Sequence, residues 1–200
     1  MIDHILLDVV GALRRALEGA LLERLPVEER FEVDVFAGNV TFGTSYGLPG
    51  EDDPGRVHAE MTLEWSTWSQ SAYRSWSIGE PTAERPELAC EVAFRLERLA
   101  DPPPLDRLVA ALGDAEPRLS ADLLAREPWL IEQRIDEHGA VFADEVAFSG
   151  VWTLLDTLLD DPVAIDHELE GVARFVASAL VRLADLNLPT TPLPEDPPAS

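Results

Sequence analysis

Four histidines, one cysteine and 38 acidic side chains are what this chain has for building a reactive site. His4, His58, His138 and His167 are scattered, and none stands near another at metal-ligand spacing. Zinc needs three or four convergent nitrogen or sulfur ligands, and one thiol with dispersed imidazoles does not supply them. Cys90 falls in the alternating run Leu88, Cys90, Val92, Phe94, Leu96, which puts its thiol on an apolar strand face. It therefore reads as a core residue and not as a nucleophile with a base in reach. No Gly-x-Ser-x-Gly turn is present. His167 and Glu170 with Asp160, Asp161 and Asp166 gather at a predicted helix start, where the helix dipole favours acids without any metal. Glu51-Asp52-Asp53 lacks the alternating ligands of a calcium loop. The stretch from Gly38 to Gly50 has no phosphate-binding lysine, and the whole chain contains none. Asp144 and Glu145 are neighbours in a predicted strand, so they point to opposite faces and cannot act together on one substrate. The expectation is a protein with no catalytic residues, no metal and no cofactor.

The most unusual stretch is Glu64-Trp65-Ser66-Thr67-Trp68-Ser69-Gln70-Ser71-Ala72-Tyr73-Arg74-Ser75-Trp76. Three tryptophans and a tyrosine stand among small hydroxyl residues. Trp65 is in line with the apolar face of the run Val57, Ala59, Met61, Leu63, whereas Trp68 falls in line with His58, Glu60, Thr62 and Glu64 on the polar face. Exposed aromatics ringed by polar groups mark protein interfaces. Trp68, Tyr73, Arg74 and Trp76, with His58 on the polar face of the preceding strand, are the candidate partner-binding residues. A second arrangement, Arg56, His58, Arg74, Arg95 and Arg134 converging on an anion, would suit a small-ligand binder or an enzyme with a non-contiguous site.

The chain has 200 residues, 46% hydrophobic and 26% charged, a composition for one soluble domain with a core. Its net charge is −23, and all fifteen cationic residues are arginine. Such a surface repels nucleic-acid phosphate and anionic lipid. The acids are unevenly spread: residues 1–100 hold 18 acids against 9 Arg, and residues 101–200 hold 20 against 6. The absence of lysine, the scarcity of Asn and Gln, and the wealth of Ala, Arg, Leu and Pro read as the coding bias of a GC-rich bacterial genome. A single cysteine allows no intrachain disulfide. The first residues carry acid where a secretory signal carries base, and no apolar run reaches the about 20 residues of a membrane span. The expected location is the cytoplasm.

The elements that must position these residues are legible from periodicity. Ile2, Ile5, Leu6, Val9, Val10, Leu13, Leu17 and Leu21 recur at helical spacing up to Pro26. Phe31, Val33 and Val35 alternate with Glu32 and Asp34 as a half-buried strand. Gly38-Asn39 reads as a tight turn, Val40 to Tyr46 as a second strand, and Gly47 to Gly55 as a loop. After the strand from Val57 to Trp65, Ser69-Gln70-Ser71 is expected to turn the chain into a strand from Ala72 to Ile78, and Pro81 and Pro86 frame a loop before the Cys90 strand. Pro102-Pro103-Pro104 forms a stiff crossover. Leu105 to Leu112 reads as a helix closed by Gly113, and Ser120 as the cap of another short helix ending before Pro128. Ile131 to Ile135 and Val141 to Phe148 form a hairpin about Asp136-Glu137-His138-Gly139, with Phe142, Val146 and Phe148 inward. Trp152 to Leu159 reads as a short helix capped by Ser149. A long helix follows Pro162, carrying Ile165, Leu169, Val172, Val176, Leu180 and Leu183.

The fold expected is α+β: an N-terminal helix, an antiparallel meander of about five strands, short helices, a second hairpin and a long closing helix on the sheet. Residues 1–188 form one domain, and residues 189–200 are a Pro-rich acidic tail without a core-forming pattern. A leading helix, a meander, a hairpin and a closing helix is an outline loosely similar to that of secretion chaperones, from which the extra predicted strand departs. The function expected is a non-enzymatic acidic protein-binding module, like an immunity protein or a chaperone or adaptor, acting on a protein partner that is itself basic. The small-ligand site above is the alternative, and DNA mimicry by the acid-rich segment from Asp136 to Ser200 is a second. Neither nucleic acid nor membrane is an expected partner. Ala173, Ala177, Ala179 and Ala184 on the closing helix would permit a homodimer through close helix approach.

Overall fold

The computed structural model describes residues 3–22, 27–48, 57–80, 84–136 and 139–191. The helix stop at Pro26, the loop from 49 to 55, Pro81, Glu137-His138 of the predicted hairpin turn and the tail from 192 lie outside them. The chain begins with α1 (His4–Leu21) and then makes the meander β1 (Val27–Phe36), β2 (Asn39–Gly47) and β3 (Val57–Trp65). Helix α2 (Thr67–Ser77) leads to β4 (Glu87–Leu99) and α3 (Leu105–Leu112). Three two-residue strands follow, β5 (Arg118–Leu119), β6 (Asp122–Leu123) and β7 (Ala125–Arg126), then the hairpin β8 (Leu130–Asp136) and β9 (Gly139–Thr153). The chain closes with α4 (Asp156–Asp160) and α5 (Pro162–Ala184).

The main sheet is antiparallel, in the order β1-β2-β3-β4-β9-β7, with β8 also paired to β9. Register follows the period of two. One row across the inner face reads Val33, Phe42, Leu63, Cys90 and Gly150, and the next reads Phe31, Thr44, Met61, Val92 and Phe148. Helices α1 and α5 cover this face, burying Leu13, Leu17, Val172, Val176 and Leu180 against it. The outer face carries Glu32, Gly43, Thr62, Glu91 and Ser149 in one row and Asp34, Thr41 and Glu64 in another. The layout is α+β as expected, with a long closing helix packed on the sheet. Asp161 caps α5 by accepting the Val163 N–H at 2.9 Å, and Pro162 occupies the first turn. Ala173, Ala177 and Ala179 are buried within the chain, so the close approach they permit is used by its own fold.

Several local expectations are corrected. Ala72 to Ile78 is not a strand but part of α2. Ser66 accepts the Ser69 N–H at 3.1 Å as the N-cap, and Ser69, Ala72, Tyr73 and Trp76 then share one side at helical spacing. Serines that look like turn formers in the sequence are caps and bridges: the Ser69 hydroxyl donates to the Glu87 carbonyl at 2.6 Å. Ser120 caps no helix; with φ at +55° it turns the β5–β6 hairpin. Ser149 lies within β9, which runs on to Thr153, so the helix predicted from Trp152 shrinks to Asp156–Asp160. Pairing to β4 carries Trp152 inward opposite Leu88, and this tertiary ladder overrides local helical spacing. Residues 189–191 are held by the sheet: the Ala100 N–H donates to the Pro189 carbonyl, and the Thr191 N–H to that of Arg98. These backbone hydrogen bonds carry the described chain to Thr191.

The β1–β2 turn is Ala37-Gly38, one residue before the predicted Gly38-Asn39, with φ at +51° and +87°. Positive φ at both central residues gives the twist a two-residue hairpin requires. Helix α2 clamps the turn: Gln70 Nε2 donates to the Gly38 carbonyl at 2.7 Å, and Thr67 N–H donates to Asn39 Oδ1 at 2.9 Å. A Cβ at Gly38 would meet Thr67 Cγ2 at 2.7 Å. Gly38→Ala is therefore expected to lower stability by about 1–2 kcal/mol, from left-handed backbone strain together with the displaced α2 contact. A urea midpoint equal to that of the wild type would overturn this account of the turn.

Candidate functional site

The sequence-predicted residues do not converge on one surface. Tyr73 is 4% exposed, stacked on Trp76 and edge-on to Trp65, and its hydroxyl hydrogen bonds the His4 ring at 3.0 Å. Burial and the nearby carboxylates of Asp3 and Asp8 raise its pKa. Arg74 Nε donates to Asp3 Oδ1 at 3.0 Å, while Trp65 Nε1 donates to Asp3 Oδ2 at 3.1 Å. Asp3 thus ties the start of α1 to β3 and α2, and Arg74 serves that clamp. Trp76 is half-buried against the core. Trp68 is the one exposed aromatic among these, at 42%, with its indole N–H donating to Glu84 Oε2 at 3.0 Å, and Arg74 is exposed beside its ion pair. The physical reason is the helix: aromatics that a hairpin would have spread over two faces are wrapped onto a helical stripe, and most of that stripe faces the core.

His58 sits seven positions before Trp65, on the outer face near the far end of β3. Its Nδ1 lies 2.5 Å from Glu29 Oε2, and its Nε2 lies 3.9 Å from Glu97 Oε2. A bulge between Glu28 and Arg30 sends Glu29 over Gly47 toward His58, while Glu28 turns inward. Of the proposed anion site, His58 and Arg95 are cross-strand partners, and Arg95 and Arg134 line one cleft with Arg98 and Phe142. Arg74 lies elsewhere on α2, and Arg56 is outside the described residues. The cleft has a volume of about 160 Å³, below the about 300 Å³ at which ligand pockets begin. Arg95 is already ringed by Glu97, Glu132 and Glu145 at 3.0–3.5 Å. An arginine so neutralised has little charge left for an anion.

Cys90 is buried, and desolvation pushes its thiol up to about 12, so no thiolate forms near neutrality. Among the described residues no group of three or more His, Cys, Asp and Glu is arranged to hold a metal. No helix among them is long and apolar enough to cross a membrane. On the outer face, Glu91 is raised by desolvation and by Glu145, Glu60 and Glu127, the mark of crowded like charge.

The surface that sequence reasoning missed is the edge strand. Among the described residues β1 pairs with β2 alone. Phe31, Val33 and Val35 share the inner face with the buried Thr44, Phe42 and Val40, yet they are 48%, 46% and 63% exposed, and Phe36 at the turn is 85% exposed. The expected half-buried strand is thus a mostly bare one, because the helix layer stops short of it. Phe31 is partly sheltered, edge-on to Phe42 at 5.2 Å and beneath the Arg14 guanidinium at 4.7 Å. Arg14 is fixed in turn by Glu28, whose carboxylate also accepts from Thr44 and Tyr46. Leu7, two helical turns before Arg14 on the same side of α1, is 56% exposed. The alternating apolar pattern was readable; that its apolar side lies beyond the helices was not. Comparison with known proteins supplies no guide here, since no family model, curated protein or solved structure matches the chain.

Asp144, which the sequence places on the opposite strand face from Glu145, is the other unusual feature. It points inward from β9 with no exposed surface, and neither carboxylate oxygen has a partner in hydrogen-bond geometry. Its cross-strand neighbours are Leu96 and Ile131. Desolvation pushes it up to about 6, only partly offset by the Glu145 amide. The folded state then holds the proton more tightly than the unfolded chain, so stability rises as pH falls from above 6 toward 4. Asp144→Asn is expected to remove this acid-side gain, on the order of 2 kcal/mol. Urea midpoints of wild type and variant at pH 5 and pH 7.5 check it, and an unaltered pH difference in the variant would refute it.

Proposed function

We propose that this protein is a non-enzymatic protein-binding module whose contact surface is the free edge of β1. One observation carries the reading: a contiguous run of large apolar side chains, Phe31, Val33, Val35 and Phe36, stands exposed on the terminal strand β1, while β8 at the other edge of the sheet also exposes Leu130, Ile131 and Ile135. An edge strand also offers a row of main-chain donors and acceptors to any chain laid beside it. Support comes too from the buried thiol, which is desolvated, and from Arg95 at the cleft, which is engaged by Glu97, Glu132 and Glu145. Trp68 lies exposed on α2, whose Thr67 and Gln70 clamp the turn ending β1. The partner is a protein, and the cell compartment proposed is the cytoplasm. The segment predicted as an extra strand is helix α2, which removes the feature that set this outline apart from the secretion-chaperone order of elements.

The test is crosslinked purification from the native host, comparing wild type with Val33→Asp/Val35→Asp. Both side chains are about half exposed or more, so the variant is expected to keep a cooperative unfolding transition, with a loss of about 1 kcal/mol or less. A stoichiometric protein partner captured by wild type and lost by the variant is the expected outcome. Equal capture by both, or a co-purified metabolite in place of a protein, would sink the proposal.

A further inference from the structure

Resting on that reading, the structure assigns a chemistry to the partner: we infer that β1 is extended by a strand of another protein in which apolar residues alternate with lysine or arginine. Strand β1 presents two stripes at its free edge. Toward the helices lie Phe31, Val33 and Val35; toward the outer face lie Arg30, Glu32 and Asp34. An added strand shares the pleat of the strand it joins, so its successive side chains also fall on the two faces in turn. Its apolar residues meet the Phe31–Val33–Val35 stripe. Its other residues stand beside Glu32 and Asp34, with Glu60 and Glu64 of β3 on the same face. Arg30 is held by Glu32 and Glu60, leaving the balance of this corner negative. Asp34 has no ion-pair partner among the described residues.

The same charges argue against a second copy as the occupant. β1 carries Glu28, Glu29, Glu32 and Asp34 against the single Arg30. Two such edges side by side would place acids opposite acids, a device by which natural edge strands resist self-pairing. Like charges across a strand pair are destabilising, whereas opposite ones contribute about 0.2–1 kcal/mol each. A cationic, alternating segment turns that repulsion into attraction, and the field of a chain with net charge −23 speeds its arrival.

The experiment titrates the full chain with a capped nine-residue peptide alternating lysine and valine. Two controls accompany it: the glutamate-for-lysine counterpart and a peptide of equal composition with its valines contiguous. Amide hydrogen exchange and sedimentation are read together. The expected result is slowed exchange at residues 31–35 with the alternating lysine peptide alone. Binding should weaken about ten-fold in Glu32→Lys/Asp34→Lys and also on raising salt from about 50 to about 500 mM. Both substitutions are at solvent-facing positions, and Val35→Thr provides a second variant that tests the apolar stripe without altering charge. Binding of the glutamate peptide with equal strength, protection elsewhere than β1, or a self-paired dimer that competes with the peptide would each overturn the inference. If the lysine peptide fails to bind while the crosslinked partner is still lost in Val33→Asp/Val35→Asp, the partner chemistry is wrong and the binding module stands. If the partner is retained as well, both fall.

Discussion

The width of two helices against the width of the sheet is the constraint on which the rest of this molecule depends. An α-helix with its side chains is about 10 Å across, so a pair side by side covers about 20 Å. Strands repeat every 4.7–4.9 Å, so that pair shelters about four of them. The main sheet has six strands across. Helices α1 and α5 cover the centre, where Phe42, Leu63, Phe94, Phe148 and Trp152 are sealed from solvent. α3 and the β5–β6 turn extend the cover over β9, with Leu108, Leu112 and Leu119 buried. No equivalent layer among the described residues reaches β1. Its apolar stripe has the same parity as the core rows and would belong to the core if a third helix lay beside α1.

Charge acts within that frame and does not set it. The outer face gathers Glu32, Asp34, Glu60, Glu64, Glu91 and Glu145, and the Glu91 carboxyl is raised first by burial and then by the nearby Glu145, Glu60 and Glu127. Arginines are mostly spent inside the fold. Arg14 fixes Glu28 beneath α1, Arg74 fixes Asp3, Arg95 is shared by three glutamates, and Arg182 reaches the Leu112 carbonyl that ends α3. Surface pairs of this kind add little stability individually. Their effect is to leave the net negative charge on exposed faces. Asp144 is the exception, a carboxyl group with no exposed surface and no ion-pair partner among the described residues, whose burial makes it hold its proton into the weakly acidic range.

Much of the architecture was legible in the chain because its signals are local. The i, i+3, i+4 spacing of α1 and α5, the Asp161-Pro162 start, the Gly113 stop and the alternation of β3 and β4 each depend on residues a few positions apart. The inward side of Cys90 and Trp65 follows from that alternation alone. The misreadings fall where local signals conflict. In the 66–77 segment, serine and threonine suit turns and caps equally, and only the Ser66 cap with the Ser69–Glu87 bonds resolves them in favour of a helix. Around Trp152, helical spacing lost to a long ladder with β4.

What the sequence determined by itself was parity, meaning which side chains share a face, together with the sign of the field and the poverty of reactive groups. Tertiary structure decided coverage, meaning which of those faces is roofed. Tyr73, Arg74 and Trp76 were drawn into clamps and core because α2 folds back on β3, and His58 was carried to the far end of the sheet. Phe31, Val33 and Val35 were left in the open because the helix layer ends at Arg14. Parity depends on neighbours in the chain, and a period of two records it. Coverage depends on how many helices fit over how many strands, a property of the assembled layers that no single segment carries.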